Sequence, residues 1–408
     1  MFAIESPRLI ASLARLVRDL GVAEELAQDA LVAALEQWPL TGIPEKPAAW
    51  LMAAAKNRAI NLFRKRKVTE RKHDELGREM DARIESAVHE IETSVDDDIG
   101  DDLLRLVFTA CHPVLPTEAR VALTLRLLGG LTTSEIARAF LLSEPTVAQR
   151  IVRAKRMLAE ANVPFEVPRG AELAERLASV LEVIYLVFNE GYAATAGDDL
   201  LRPALTEDAM RLGRILAELA PNEPEVHGLV ALMELNASRS AARVTASGEP
   251  VLLLEQDRSR WDPLLIRRGL AALERAEALG AERGPYTLQA AITACHARAL
   301  VPEATDFGRI AELYDELSRV LPTPVVMLNR AVAVGMARGP AAGLALVDEL
   351  AREPQLARYH FLPSARADLL EKLGRRDEAR GEFERAASMT QNARQRGRLL
   401  LRAARCKN

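Results

Sequence analysis

The stretch that most constrains how this chain can fold is TTSEIARAFLLSEPTVAQRIVRAKRM, residues 132–157. Thr132 and Glu135 form a T-x-x-E capping box, which predicts the start of one helix. Ser143 predicts the start of a second helix, because a serine side chain can cap the free N–H groups of a first turn. Apolar residues recur four apart in each helix, at Ile136 and Phe140 and at Val147 and Ile151. The pattern predicts two short helices, each with one stripe to bury, joined by a tight turn.

The outward side of the second helix carries side chains suited to DNA. Arginine can bridge the two acceptors of guanine, and glutamine can pair with adenine in the same way. Residues 150 to 156 include four basic residues and no acidic one. The stretch therefore favours a helix-turn-helix that reads a major groove. An ordinary helix pair with a solvated basic face is the alternative. The outward positions are Ser143, Glu144, Thr146, Gln149, Arg150 and Arg153.

The composition fits a multidomain helical protein. The chain has 408 residues, of which 49% are hydrophobic and only 4% aromatic, which indicates two or three domains rich in alanine and leucine. No apolar run approaches the roughly 20 residues that cross a bilayer, and the start of the chain lacks the pattern of a signal peptide. Three cysteines without C-x-x-C spacing agree with a reducing compartment. We predict a cytoplasmic protein.

Charge is segregated along the chain. The formal net charge is only -4, which argues against a protein that coats nucleic acid indiscriminately. Residues 56 to 72 nevertheless hold eight Lys and Arg against one Glu, whereas residues 90 to 102 hold seven Asp and Glu and no base. The local basic stretches therefore carry the nucleic-acid signal.

The first 66 residues are predicted to form a compact helical unit. A leucine stripe from Leu9 to Leu20 predicts a first helix that ends at Gly21. A second helix, from about Ala23 to Trp38, is predicted to bury apolar residues that include Leu31 and Leu35. Its opposite side is predicted to expose Glu24, Glu25, Gln28 and Asp29. A third helix, from Pro47, carries a dense basic and amide-bearing surface. Trp50 near its start either stacks on a base or belongs to the core.

Three of these segments resemble a known family. AEELAQDALVAALEQWP, a proline-rich loop, and PAAWLMAAAKNRAINLFRKRK, followed after a linker by the helix-turn-helix, are similar to RNA polymerase sigma factors of the extracytoplasmic-function type. The resemblance implies a transcription initiation factor that binds core RNA polymerase, at its β′ clamp and β flap, and promoter DNA. It also implies no enzymatic activity and no cofactor.

The resemblance assigns roles to individual residues. Glu25, Gln28 and Asp29 would bind the polymerase. The minus-thirty-five element would be read by the outward positions of the helix-turn-helix given above. The minus-ten element would be read by Trp50, Lys56, Asn57, Arg58, Asn61, Arg64 and Lys65.

We predict an all-α chain in four segments. Residues 1–66 correspond to the second sigma domain, 67–100 to a linker, 101–165 to the fourth sigma domain, and 166–408 to a helical extension. The linker is either a nucleic-acid mimic or a flexible tether.

FTACHPVLP and LTLRLLGGLTTSEIARAF are similar to a subgroup of the family that has a long C-terminal extension, and the extension of this chain resembles tetratricopeptide repeats. ARADLLEKLGRRDEARGEFERA carries Gly374, Ala379, Phe383 and Ala386 at the small and aromatic positions of that repeat. Stacked helix pairs would offer a surface for a protein or small-molecule regulator. Residues 243–261 interrupt the helical pattern and predict a hairpin or an ordered loop.

Other candidate sites are weak. The adjacent pairs Cys111-His112 and Cys295-His296 lack zinc-ligand spacing, so we predict no metal. Glu190 has no second acid, histidine or nucleophile near it in sequence. The alternative function is a helix-turn-helix activator with a helical-repeat sensor, which the Gln28-Asp29 pair and the Trp50–Arg58 signature disfavour.

Overall fold

The computed structural model describes residues 2–70, 99–140, 142–192, 201–245, 249–280, 282–357, 359–390 and 392–406, without the side chains of residues 2–5, 63–70, 99–101, 138 and 171. These ranges contain helices and no strand, and an isolated bridge joins Val244 to Pro250. The all-α prediction is therefore confirmed. Most of the predicted linker, residues 71–98, lies outside the described residues.

The chain divides into two compact units, Met1–Ile184 and Tyr185–Asn408. The helices that begin in the first unit are α1 (Phe2–Val17), α2 (Leu20–Thr41), α3 (Pro47–Glu70), α4 (Ile99–Ala110), α5 (Thr117–Leu127), α6 (Thr133–Ala139), α7 (Glu144–Glu160) and α8 (Ala171–Tyr192). Those of the second unit are α9 (Pro203–Leu219), α10 (Pro224–Ala237), α11 (Pro263–Leu279), α12 (Pro285–Arg298), α13 (Phe307–Val320), α14 (Pro324–Arg338), α15 (Pro340–Leu350), α16 (Phe361–Lys372), α17 (Arg376–Met389) and α18 (Ala393–Arg405).

The junction between α1 and α2 differs from the prediction. Helix α1 ends at Val17, and Arg18 adopts a left-handed φ of 52°. The Asp19 carboxylate then accepts the backbone N–H groups of Gly21 and Val22 at 2.8 and 3.0 Å. Gly21 therefore lies in the first turn of α2, because an aspartate N-cap satisfies the N–H groups that a new helix leaves free.

The buried stripe of α2 also differs from the prediction. Leu26 and Trp38 are buried as expected, but Leu35 is 60% exposed and Leu31 only partly buried. The buried positions are mostly alanines, which permit close helix packing, so the larger leucines fall outside the contact. Glu24, expected on the outer side, is only 6% exposed.

The helix-turn-helix forms as predicted. The Thr132 N–H donates to the Glu135 carboxylate at 2.7 Å, and the Glu135 N–H donates to the Thr132 hydroxyl at 3.2 Å. This reciprocal capping box fixes the start of α6. Ile136, Val147 and Ile151 are buried. The two helices thus cover each other's apolar stripes and leave the polar side of α7 exposed.

In the second unit, each helix from α13 to α18 packs on the next helix along the chain. Between α16 and α17, Gly374 has a φ of 77°, in the region that favours glycine. Ala379, Phe383 and Ala386 are completely buried. The small and aromatic positions singled out in the sequence thus form part of the core.

Residues 243–261 form an ordered loop where they are described. The Val244–Pro250 bridge is followed by two short 3₁₀ helices, Leu253–Glu255 and Arg258–Arg260. Across the described ranges, none of the helices combines the length and the apolar character that a membrane crossing requires.

Candidate nucleic-acid interface

Helix α7 presents the predicted DNA-reading residues on one continuous element. The Ser143 hydroxyl accepts the Thr146 N–H at 3.3 Å and lies 2.7 Å from the Thr146 hydroxyl, which fixes the first turn. Within the predicted set, Thr146 and Arg150 are partly buried. The exposed members are Ser143, Glu144, Gln149 and Arg153. A capped helix with polar side chains free on one face has the form that a major groove admits.

One residue of this surface does not stand out in the sequence pattern. Val152 lies three residues after Gln149 and is 67% exposed. An exposed apolar side chain beside polar base-reading candidates can contact the methyl group of thymine. The only sequence signal for it is that Val152 falls outside the stripe formed by Val147 and Ile151.

Helix α3 carries the predicted minus-ten residues. Leu51, Ala55 and Ala59 are buried and set the inner face of the helix. Asn57 and Asn61 are exposed, whereas Lys56 and Arg58 are partly buried. The side chains of Arg64 and Lys65 lie outside the description.

Trp50 contacts a second tryptophan. Its ring packs edge-on against that of Trp38, with centroids 5.5 Å apart and planes at 65°. Trp38 is buried, whereas Trp50 is partly exposed. Edge-to-face geometry is favourable for aromatic pairs. Trp50 therefore packs against a core residue while part of its ring stays accessible, and stacking on a base stays a prediction.

The predicted polymerase-binding residues lie on the exposed side of α2. Glu25, Gln28 and Asp29 are all exposed. The Gln28 side-chain amide also donates to the Glu24 carboxylate at 2.9 Å. The polar face of α2 is thus continuous with the buried Glu24.

Glu24 connects the N-terminal helices to the helix-turn-helix. Its carboxylate accepts from Arg126 Nε, at the end of α5, at 2.6 Å, and forms an ion pair with Lys155 of α7. Burial by itself would raise the pKa of Glu24, but the hydrogen bonds and charges of Lys155 and Arg126 outweigh it and lower the pKa below the usual 4.5. Glu24 is therefore ionised. Lys155, which belongs to the basic tail of α7, already has an ion-pair partner within the protein.

A second link within the first unit joins α1 to α4. Arg15 Nε of α1 lies 3.1 Å from the Asp102 carboxylate of α4, which also accepts from Arg105 at 2.6 Å. Asp102 is 1% exposed. Burial raises the pKa of Asp102 and outweighs the opposing effect of Arg15 and Arg105.

The beginning of α8 is tied to the helices before the helix-turn-helix. Arg176 donates to the Phe108 carbonyl at 3.0 Å, and the Ser179 hydroxyl donates to the Cys111 carbonyl at 2.6 Å. Arg120 donates to Ser179 at 2.5 Å. The first compact unit accordingly continues to Ile184, beyond the boundary at residue 165 that the sequence suggests.

The remaining sequence candidates have local partners. The buried Cys111 thiol lies 3.3 Å from the Thr124 hydroxyl, and burial raises its pKa to about 11. Glu190 forms an ion pair with Arg202. Within the residues that the structure describes, no three His, Cys, Asp or Glu side chains come together in a group that could hold a metal.

Comparison with known families agrees with this geometry. Residues 1–69 match Sigma-70 region 2, and residues 105–158 match Sigma-70, region 4. The chain belongs to the sigma-70 family of RNA polymerase sigma factors. The two matched regions cover α3 except its last residue and α7 except its last two, so nearly all of each candidate DNA-reading helix falls within them. Two sigma regions followed by an additional C-terminal domain make this an ECF-like sigma factor.

Part of the additional domain matches a further family. Residues 176–277 of the sigma factor match a family of unknown function (DUF6596). A relative in Rhizobium meliloti (strain 1021), "Uncharacterized protein R00370", is 44% identical over 388 residues, which cover 95% of this chain and 90% of the relative. The likeness therefore extends through both units of the sigma factor.

Proposed function

We propose that this sigma factor binds core RNA polymerase through the exposed face of α2 and reads two promoter elements, the minus-ten element with α3 and the minus-thirty-five element with α7. The polymerase contacts are Glu25, Gln28 and Asp29, which face the β′ clamp, while the fourth domain faces the β flap. The observation that carries the proposal is that each sigma region supplies one helix with a buried apolar side and an exposed side of amide and basic residues.

The contact through Glu24 must open for this function. Elements named for positions minus ten and minus thirty-five are about 25 base pairs apart, which is about 85 Å of duplex at about 3.4 Å per base pair. An ion pair between Glu24 and Lys155 holds α2 directly against α7. Because α2 packs on α3, α7 cannot keep this contact with α2 while α3 reads the minus-ten element and α7 reads the minus-thirty-five element. We propose that the observed first unit is a closed form that opens on polymerase and promoter.

The test is transcription in vitro with purified core polymerase on a library of upstream sequences. We expect start sites that require both core and the sigma factor and that share two spaced elements. The alternative outcome is that the protein binds duplex DNA tightly by itself and that the polymerase does not need it as a subunit for initiation. That outcome would instead support a helix-turn-helix activator.

We further propose that the C-terminal helices form a tetratricopeptide-like regulatory domain. The burial of Ala379, Phe383 and Ala386 at repeat-like positions supports this proposal. Truncation tests it, but the cut must follow Tyr192, because α8 supplies Arg176 and Ser179 to the core of the first unit. We expect the chain ending at Tyr192 to change polymerase affinity or transcript yield. A chain ending at residue 165 is the control for simple loss of structure. Unchanged activity of the chain that ends at Tyr192 would exclude a regulatory role.

A further inference from the structure

A cavity of about 540 Å³ opens in the second unit among α12, α13, α14 and α16. Native cores leave few voids larger than a water molecule. Binding sites for small molecules commonly have volumes of about 300 to 1,000 Å³. The cavity therefore has the size of a ligand site rather than of a packing defect.

The walls of the cavity are largely apolar. Its floor includes Ile292, Ile310, Leu328 and Leu369, all buried. At the mouth, the exposed residues Leu252, Leu254 and Phe361 continue the apolar lining outward. Exposed apolar side chains gathered around an opening indicate a surface that gains free energy when a ligand covers it.

One wall is an irregular segment that the C-terminal helix holds in place. This strap, residues 249–256, brings Leu252 and Leu254 to the cavity. Arg398 of α18 donates to the Pro250 carbonyl and lies 2.8 Å from the Glu255 carboxylate. Arg394 pairs with Glu249 at 3.1 Å. The interruption in the helical pattern at residues 243–261 thus supplies part of a site.

The charges that line the cavity balance one another. Asp368 lies 2.9 Å from both Lys372 Nζ and Arg402 Nη2, and Arg402 also pairs with Glu371. Burial would raise the pKa of Asp368, but Lys372 and Arg402 outweigh it and keep the carboxyl ionised. Glu255 is paired with Arg398. A charged ligand would have to compete with these internal ion pairs, so the lining favours an uncharged one.

His296 adds an uncharged side chain to the lining. It borders the cavity and is 9% exposed. Burial, together with the charges of Arg239 and Arg258, lowers the pKa of His296 to about 4. The imidazole is therefore uncharged at neutral pH. Its Nδ1 atom is itself buried rather than open to the cavity, so the histidine contributes an uncharged ring to the wall.

We propose that this cavity binds an uncharged, largely apolar small molecule. The proposal concerns the second unit and does not depend on promoter recognition. Its test needs neither polymerase nor DNA, so its failure is distinguishable from failure of the proposed function.

The first measurement is a fluorescence titration of the full-length protein with Nile red, a neutral, apolar dye that carries a carbonyl. We expect a blue-shifted emission that saturates at one dye per chain. Val332→Trp fills the cavity from α14 and should reduce affinity at least tenfold. Val325→Trp is the matched control, because Val325 is an exposed valine of the same helix that does not line the cavity.

A second filling variant keeps the test informative. Ser364→Phe fills the cavity from α16 and replaces Val332→Trp if that variant fails to fold.

Competition tests the charge of the ligand. We expect 1-decanol to displace Nile red and decanoate at pH 8 to do so at least tenfold more weakly. Equal or better displacement by decanoate would overturn the inference of an uncharged ligand. Dye binding that does not saturate, or that survives both filling variants, would overturn the site itself and would indicate that the apolar mouth instead meets a protein partner.

Discussion

The Glu24 carboxylate lies 2.6 Å from Arg126 Nε, across 102 residues of sequence. Lys155 pairs with the other oxygen of the same carboxylate. A single buried acid on α2 therefore holds both the helix before the helix-turn-helix and the DNA-reading helix itself. Because the proposed polymerase-binding residues of α2 begin at the next position, Glu24 would couple binding at one sigma region to release of the other under that proposal.

Glu24→Gln should weaken the closed form of the first unit. The substitution removes the charge that compensates Arg126 and Lys155 while keeping the size of the side chain. We expect a loss of about 1 to 3 kcal/mol in the stability of this contact, seen as faster hydrogen exchange in α2 and α7. Affinity for core polymerase should rise. Glu36→Gln, at an exposed position of the same helix, is the control and should change neither quantity.

The contribution of Glu24 to the free energy of unfolding should decrease at acid pH. Its folded pKa is lowered from 4.5, so the folded state binds a proton less readily than the unfolded state. The stabilisation is fully present above pH 4.5 and is lost as the pH falls through the folded pKa. Unfolding by urea at several pH values should therefore show wild type and Glu24→Gln converging below pH 4.5. A difference that stays constant down to pH 3 would contradict the ion-pair interpretation.

Arg150→Ala tests the assignment of α7 to base reading. If Arg150 makes a bidentate contact with a base, promoter binding should weaken by about 1 to 3 kcal/mol, with specificity relaxed at one position. Binding is measured on a matched set of minus-thirty-five sequences. Arg156→Ala is the comparison, because Arg156 is exposed in the same helix and pairs with Glu160 at 3.4 Å. An equal loss on every sequence would assign Arg150 to the phosphate backbone.

Glycine substitutions test the packing of the second unit. A Cβ atom added at Gly343 of α15 would lie 2.7 Å from the Gly335 Cα of α14. Gly343→Ala should therefore destabilise the second unit by about 1 to 3 kcal/mol through overpacking. Gly381 of α17 has open space around it, so Gly381→Ala should stabilise by about 0.5 to 1 kcal/mol through helix propensity. Thermal unfolding of both variants measures the contrast, and equal effects would contradict the close approach of α14 and α15.

Several features were predictable because they depend on residues close together in sequence. The capping box of Thr132 and Glu135, the Ser143 cap and the apolar spacing of α6 and α7 all act within one or two helical turns. The same holds for the Ala379, Phe383 and Ala386 positions of α17. The fold class and the helix-turn-helix follow from such local patterns, and the assigned roles of the individual site residues stay predictions.

The sequence by itself determined where most helices form, which family the two sigma regions resemble, and which polar residues share a helix face. Only the tertiary structure decided that Glu24 is buried while Leu35 is exposed, because the helix pattern does not say which side of α2 meets alanine-rich packing and which meets Arg126 and Lys155. It also decided that the strap and His296 border one cavity, since these residues lie about 40 positions apart and are joined only by the packing of distant helices. Local periodicity fixes secondary structure, whereas long-range contacts fix the environment, and hence the charge state, of each side chain.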